Sequence, residues 1–199
     1  SNPEIVMVLG ARASGTTFGV ARAAQENRIP MLVEHASSDL ITKSGFDYVF
    51  RLNPSATMYP TALKDFLTNE IKPQSIAMLF DDNIYGRPLW EESLKPWAQE
   101  QGIDILLEEP LQPGTADYRP IVAKVRDANP DVVVVAQGLD TDAALMANAF
   151  HELNYKPKLL TGSGGGHSVY GFIEKTGEDG NYWMSASAWH GKKKDPKWQ

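Results

Sequence analysis

Short apolar segments alternate with helical patterns along this chain, and a new segment begins every ~25–30 residues, the length of a strand with its crossover helix. The clearest segment is Asp131–Ala136, DVVVVA, which is too short for an ordinary helix and rich in β-branched valine. Such segments are typical of strands that are buried on both faces of a parallel sheet. The sequence therefore predicts an α/β fold in which parallel sheets are flanked by helices.

The predicted elements follow this alternation along the whole chain. Strands are expected at Ile5–Leu9, Ile29–Val33, Tyr48–Leu52, Ser75–Phe80, Ile103–Leu107, Asp131–Ala136, Lys158–Thr161 and Tyr182–Ser187. Helices are expected from Phe18 to about Asn27, from an Asn53-Pro54-Ser55 cap to about Asn69, and over Pro88–Gln101, Asp117–Ala128 and Asp140–Leu153. Pro60 lies inside the second helix, so that helix either kinks there or starts later, and Pro96 predicts a kink in the third.

The rhythm of the pattern changes near Ile71–Gln74, where Pro73 interrupts it. We therefore expect residues 1–72 to be part of a first α/β lobe and residues 73–199 to form a second α/β lobe. The first part has fewer strands, so the chain is expected to be a fragment of a longer protein, with its first lobe incomplete. The alternative is a single wider domain.

Composition excludes several classes of function. The formal net charge of −6 argues against a general nucleic-acid binder. The chain has no cysteine, which excludes disulfides, thiolate metal sites and a cysteine nucleophile. No stretch approaches the ~20 apolar residues of a membrane helix. The chain begins almost directly on a predicted strand, which indicates a mature or truncated sequence.

A turn of small and polar residues joins the first strand to the first helix. Its backbone N–H groups and the positive end of the helix dipole suit an anion such as a carboxylate or phosphate. Ser14, Thr16 and Thr17 add hydroxyl donors. The turn does not match a nucleotide motif, because Thr16 replaces the P-loop lysine and Arg12 replaces the middle glycine of a dinucleotide fingerprint. The alternative is an ordinary helix cap.

The second strand also ends in small polar residues, His35-Ala36-Ser37-Ser38. Because the carboxyl ends of parallel strands meet at one edge of a sheet, this loop is expected to face the first turn. Asp81 and Asp82 follow the buried fourth strand at the corresponding edge of the second part. There they would bind an amine or Mg²⁺, or simply form a solvated loop.

No pattern for catalysis or for a bound metal emerges from the sequence. His35, His151, His167 and His190 lack metal-ligand spacing, and no serine lies in a G-x-S-x-G motif. Gly162–Gly166 departs from a dinucleotide fingerprint at His167, so we interpret it as a flexible cleft or hinge loop. We therefore expect no metal and no cofactor, and we expect binding rather than catalysis.

Several motifs in order resemble periplasmic solute-binding proteins of the leucine/isoleucine/valine-binding family, the branched-chain amino-acid ABC transporter family with the type I binding-protein fold. These motifs are Ala13-Ser14-Gly15-Thr16, Ile29-Pro30-Met31 leading to Ala36-Ser37-Ser38, Tyr48-Val49-Phe50-Arg51, Asp82-Asn83-Ile84-Tyr85-Gly86, Asn129-Pro130-Asp131-Val132-Val133-Val134, and the Asp140–Leu153 helix leading to Asn154-Tyr155. The resemblance covers nearly the whole chain.

The resemblance implies two lobes that close on a small solute, and a membrane ABC transporter permease that recognises the closed form. It places the ligand carboxylate on Ser14 and on Ser37 or Ser38, and an ammonium on the Ala36 carbonyl. Tyr85 is expected to line the cleft, and Thr16 adds its hydroxyl to the anion site. The implied location is the periplasm, or the outside of the cell with a lipid anchor.

The chain departs from the amino-acid binders at one notable position. Those proteins commonly carry a tyrosine after the strand that here ends at Gln137, whereas this chain has Gly138-Leu139. Trp189 lies near the place expected for another cleft aromatic residue. The expected solute is therefore a small carboxylate-bearing molecule, either an amino acid or an aromatic acid, and an amide is also open.

Three functions remain open from the sequence. We expect a non-enzymatic solute-binding subunit of an ABC importer, with no nucleic-acid partner. A ligand-sensing domain of a receptor or regulator would share the same fold. The third is a Mg²⁺-dependent α/β enzyme that uses Asp81, Asp82 or Asp140, which the lack of a convergent catalytic set disfavours.

Overall fold

A computed structural model describes residues 4–186 of the chain, and it contains two parallel sheets. The strands are β1 Val8–Leu9, β2 Met31–Val33, β3 Val49–Arg51, β4 Ser75–Asp81, β5 Asp104–Leu111, β6 Val132–Ala136, β7 Leu159–Ser163 and β8 Trp183–Ala186. The first sheet has the order β1-β2-β3, and the second has the order β5-β4-β6-β7-β8. The predicted α/β fold with parallel sheets is confirmed.

Helices connect the strands and cover the sheets. They are α1 Ser14–Asn27, α2 Leu40–Lys43, α3 Thr61–Phe66, α4 Gly86–Pro88, α5 Lys95–Glu100, α6 Arg119–Ala128, α7 Asp140–Glu152 and α8 Tyr170–Thr176. The chain is also π-helical over Leu67–Ile71 and Leu89–Leu94, and 3₁₀-helical over Gly165–Ser168 and Gly177–Gly180. The predicted last strand extends to Ser187, which lies outside the described residues, as do His190 and Trp189.

The second sheet is built around β4 and β6, which are buried on both faces. Ile76, Met78 and Phe80 point into one core, while Ala77 and Leu79 point into the other. The valines of β6 divide between the same two cores, with no residue from 132 to 136 exposed. An all-apolar strand suits this position, because a strand between two helical layers has no solvent-facing side.

The first strand was expected to be buried on both faces, and this expectation is wrong. Strand β1 has only two residues, and Val6 and Leu9 are 82% and 63% exposed. The core of the first sheet lies on its other face, where Met31, Val33 and Val49 pack against the α1 side. Among the described residues nothing covers the face that carries Leu9, which explains its exposure.

The second helix begins later than the Asn53-Pro54-Ser55 cap predicts. Pro60 is the residue before α3, and it has no N–H to continue a helix that began upstream. The alternative of a later start at Pro60 is therefore confirmed. Leu63 and Leu67 pack into the core of the second sheet, whereas the first sheet ends at Arg51. The division between residues 72 and 73 stays a prediction.

The segment Gly162–Gly166 is more regular than the predicted flexible loop. Gly162 and Ser163 are the last residues of β7, and a 3₁₀ turn begins at Gly165. A Cβ atom on Gly162 would lie 2.4 Å from the Cβ of His167, so close packing requires this glycine. Gly165 has a φ of 63° and lies against the Gln137 carbonyl, which also excludes a side chain.

Candidate functional site

A cavity of about 330 Å³ lies where the carboxyl ends of the strands of both sheets meet. The first part of the chain contributes Arg12, Ala13, Ser14, Gly15, Thr16, His35, Ser37 and Tyr59. The second part contributes Asp81, Asn83, Tyr85, Pro113, Gly138, Leu139 and Gly165. The lining residues lie at or after the carboxyl ends of seven different strands, which is the usual position of a ligand site in parallel α/β folds. The volume lies near the lower end of the ~300–1,000 Å³ range of small-molecule sites.

The two small-residue loops of the first part contact each other, as expected. The Ser38 backbone N–H donates to the Ser14 Oγ over 3.2 Å. The Arg51 guanidinium donates to the carbonyl oxygens of Ser37 and Ser38, at 3.1 and 2.8 Å. The Ala56 N–H also donates to the Ser37 carbonyl. The loop after β2 is thus held against the start of α1.

Helix α1 begins without a side-chain cap, so the ordinary-cap alternative is not what the structure shows. Ala13 occupies the cap position, and Ser14 is the first helical residue. The first helical hydrogen bond runs from the Thr17 N–H to the Ala13 carbonyl, so the N–H groups at positions 14–16 precede it. These donors and the helix dipole favour an anion at the cavity wall formed by Gly15 and Thr16.

Four of the predicted binding residues line the cavity: Ser14, Thr16, Ser37 and Tyr85. Ala36 and Ser38 are buried beside it without lining it. Ala36 packs in the core of the first sheet, and the Ser38 N–H is already bonded to Ser14. Their roles in binding, like those of the four lining residues, stay predictions.

Thr17 was expected to add a hydroxyl to the anion site, and the structure places it elsewhere. Its side chain is buried, and its hydroxyl donates to the Ala11 carbonyl. It therefore stabilises the turn before α1 instead of lining the cavity.

Two basic side chains lie at the same wall as the start of α1. Arg12 and His35 both line the cavity. Burial lowers the pKa of His35, and the Arg12 guanidinium lowers it further. His35 is therefore neutral at pH 7, and Arg12 supplies the positive charge of this wall. Sequence reasoning treated Arg12 only as a departure from a nucleotide motif.

Asp81 is the buried acid of the cavity. Its side chain is 1% exposed, and its Oδ2 accepts a hydrogen bond from the Gly138 N–H over 2.8 Å. Burial raises its pKa to about 6; Asp142 adds to the increase, and the Gly138 N–H and Asn83 side chain oppose it. The neighbouring Asp82 faces solvent and pairs with Arg87, so only one acid of the sequence pair belongs to the cavity.

Tyr85 forms an ordered wall beside Asp81. Its hydroxyl donates to the Ser163 carbonyl over 3.1 Å, which links the loop after β4 to the end of β7. Asn83 accepts hydrogen bonds from the N–H groups of Tyr85 and Gly86, and this fixes the turn that presents the ring. Burial raises the pKa of Tyr85, which keeps its hydroxyl protonated.

Sequence reasoning missed most of the remaining lining residues. His35 was named in the loop expected to face the first turn and was otherwise considered only as a metal ligand, and Tyr59 lay within a span predicted to be helical. Pro113 and Leu139 carry no chemical signal in the sequence, because only the topology brings the loops after β5 and β6 to the cavity.

Within residues 4–186, no group of three or more His, Asp or Glu side chains is arranged to hold a metal ion. The same part of the chain contains no helix that is both long and apolar enough to cross a membrane.

Comparisons with known proteins agree with this architecture. A family model described as periplasmic binding protein matches residues 1–195. Leu/Ile/Val-binding protein homolog 7 of Brucella abortus is 25% identical over 184 residues, which cover 88% of this chain and 46% of the relative. The chain thus spans about half the length of the curated relatives it matches.

Solved structures share the fold at low sequence identity. The leucine-binding protein LivK of Thermotoga maritima has a TM-score of 0.87 at 20% identity, covering 98% of this chain and 55% of that one. An ABC transporter solute-binding protein of R. palustris, solved with 4-hydroxybenzoate, has a TM-score of 0.72 at 18% identity, covering 81% and 44%. Since the family model spans nearly the whole sequence, the chain belongs to the periplasmic binding protein family, with the type I fold.

Proposed function

We propose that this chain belongs to a solute-binding subunit of an ABC importer and binds a small carboxylate-bearing solute in the cavity. One observation carries the proposal: the cavity takes one wall from each part of the chain, and one of these walls contains the N-terminus of α1, whose first N–H groups precede the first helical hydrogen bond. Relatives named for leucine, isoleucine and valine binding, and a fold neighbour solved with 4-hydroxybenzoate, support an amino acid or an aromatic acid as solute.

The carboxylate would bind at the start of α1. The Ser14 hydroxyl and the first N–H groups of the helix supply hydrogen-bond donors, and Arg12 supplies a full positive charge. Hydrogen bonds from such groups to an ionised carboxylate are stronger than those between neutral groups. Tyr59, Tyr85, Pro113 and Leu139 would contact the rest of the solute, since they add apolar surface to the cavity.

Binding between two walls also provides a signal for a transporter. A solute that contacts both walls draws them together, and hinge closure around a ligand is a common response in two-lobed proteins. The proposed partner is a membrane permease that recognises the closed form, in the periplasm or at the outer surface of a lipid-anchored protein. A ligand-sensing role would use the same site, and reconstituted transport with the permease would separate the two.

The experiment is a thermal-shift screen of this chain with matched solutes. Leucine and 4-hydroxybenzoate are each compared with their methyl esters, which keep the side group and lose the carboxylate charge. A ligand that binds the folded state raises the melting temperature. We expect a rise with at least one acid and none with its ester. Equal shifts for acid and ester, or no shift with any solute, would contradict the proposal.

A further inference from the structure

One of the two carboxylate oxygens of Asp81 accepts no hydrogen bond from any residue that the structure describes. Its Oδ2 accepts from the Gly138 N–H, while its Oδ1 is buried without a hydrogen-bond partner. A buried carboxylate oxygen that has lost water without gaining a donor is costly to the fold. Because Asp81 lines the cavity, a small rotation of its carboxylate would bring this oxygen to a bound solute, which would supply the donor.

The groups around Asp81 do not neutralise it. Asp142 is the charged side chain that acts on it, and this carboxylate already accepts from the Gly114 N–H. The Tyr85 hydroxyl donates to the Ser163 carbonyl, and the Asn83 amide oxygen accepts from backbone N–H groups. The Asn83 amide lies near enough to lower the pKa of Asp81, but no hydrogen bond with good geometry reaches the Asp81 Oδ1. Within the described part of the chain, no lysine or arginine forms an ion pair with Asp81.

Gly138 keeps the space beside Asp81 open. A Cβ atom at this position would lie 3.5 Å from the Asp81 Oδ2 and 3.8 Å from Cδ1 of Tyr85, which are ordinary contact distances. Its φ is not positive, so the backbone conformation does not demand glycine. A larger side chain here would therefore fill part of the cavity between the acid and the tyrosine ring.

We propose that Asp81 and Gly138 determine solute specificity: the free Asp81 oxygen accepts a hydrogen bond from an O–H or N–H group of the solute, and Gly138 leaves room for it. This inference rests on the proposed function, which places the solute carboxylate at the opposite wall. The favoured solute carries a carboxylate and, at a distance from it, a phenolic hydroxyl or an ammonium group.

The test compares solutes that differ by one donor, in the intact chain and in Asp81→Asn. The hydroxyl pair is 4-hydroxybenzoate and benzoate, and the ammonium pair is 4-(aminomethyl)benzoate and 4-methylbenzoate, in which the ammonium lies at the far end of the ring from the carboxylate. In the variant, the Gly138 N–H holds the amide oxygen, so the amide NH₂ replaces the free oxygen and cannot accept. Isothermal titration calorimetry measures all affinities, and Asp82→Asn, at the exposed neighbour, is the matched control.

In the unmodified chain we expect the donor-bearing member of one pair to bind about tenfold or more tightly than its partner, the scale of a hydrogen bond to a charged group. Asp81→Asn should abolish that preference while changing the affinity of the other member by less than about threefold. The pair that responds identifies the donor as hydroxyl or ammonium. Asp82→Asn should preserve the preference.

Three results would overturn the inference. Equal weakening of both members of a pair by Asp81→Asn would assign Asp81 a purely structural role and leave the proposed function intact. An intact preference in that variant would do the same. Absence of binding by every solute would overturn the inference and the proposed function together. Gly138→Ala provides a second variant: it should weaken the donor-bearing solute most, and an unchanged affinity would remove Gly138 from the site.

Discussion

At the scale of single residues, the cavity combines groups that serve the fold and groups that are left for a ligand. The Ser14 hydroxyl accepts from the Ser38 N–H and still lines the cavity, so it has both roles. Asp81 accepts from Gly138 through one oxygen only. Substitutions at these positions therefore have to be measured for stability as well as for binding.

Replacing Ser14 by alanine should weaken carboxylate binding by roughly 1–3 kcal/mol, the scale for losing a hydrogen bond to a charged group. The variant also leaves the Ser38 N–H without its acceptor, so stability should fall by about 1 kcal/mol. Calorimetry and urea unfolding measure the two effects separately. Ser44→Ala, on the surface after α2, is the control and should leave affinity unchanged. Unchanged affinity in Ser14→Ala would remove this serine from the site.

Asp81 makes stability depend on pH in a direction that can be derived. Its pKa is about 6 in the folded chain and 3.8 as the reference value, so between these pH values the folded state binds more protons than the unfolded state. Its contribution to stability therefore declines as pH rises through this window. Asp81→Asn has no carboxylate to titrate and does not lose this stability. The unfolding free energy of the variant minus that of the wild type should therefore increase by about 3 kcal/mol between pH 3.5 and pH 7. A constant difference in urea unfolding would contradict this.

At the scale of elements, the sequence predicts β4, β6 and β7 well because each is an apolar segment that the fold buries, and it also predicts β5, an edge strand that is only partly buried. Their bounds differ from the predicted ones by a few residues, with β5 extended to Leu111. The short helices α2 and α8 were not predicted, since neither has the length for a clear helical pattern. The exposure of β1 could not be predicted, because it depends on which elements cover the sheet and not on the strand itself.

The end of β7 depends on one glycine that the sequence presents only as part of a glycine run. His167 stacks on Trp183 at 4.8 Å between ring centroids, directly above Gly162. Burial lowers the pKa of His167 to about 3, so the ring is neutral in this packing at pH 7. The glycine segment 162–166 therefore has two roles: Gly162 allows His167 to pack closely, and Gly165 lines the cavity.

Gly162→Ala should destabilise the fold by about 1–3 kcal/mol, because the added methyl overlaps the Cβ and Cγ of His167 and forces it to move. Gly19→Ala is the matched control: it lies exposed in α1 with no atom within 4 Å of the added Cβ. In a helix interior alanine is favoured over glycine by about 0.5–1 kcal/mol, so this variant should be more stable. Urea unfolding compares the two, and equal stability of Gly162→Ala and wild type would contradict the packing.

At the scale of the whole molecule, the position of the site could be predicted more completely than its composition. Two strand ends of the first part were expected to meet, and the contact between Ser14 and Ser38 confirms it. For the opposite wall, the sequence indicated Tyr85 and the pair Asp81 and Asp82, which was interpreted either as a site for an amine or Mg²⁺ or as a solvated loop. Pro113 joins the cavity through sheet order alone, which no local pattern in the sequence encodes, whereas Gly138 and Gly165 belong to stretches that the sequence analysis had singled out without giving them a contact.

Because each part of the chain forms one wall of the cavity, a bound solute should slow amide hydrogen exchange in both parts at once. We expect hydrogen–deuterium exchange to slow at 12–16 in the first wall and at 81–85 and 138–139 in the second when 4-hydroxybenzoate or leucine is bound. Exchange at 124–129, the end of α6, should not change, since this segment does not line the cavity. Protection confined to 12–16 would mean that the solute binds one wall without bridging the two. Closure would then not be the response that a transporter reads, even if the affinity for the carboxylate were high.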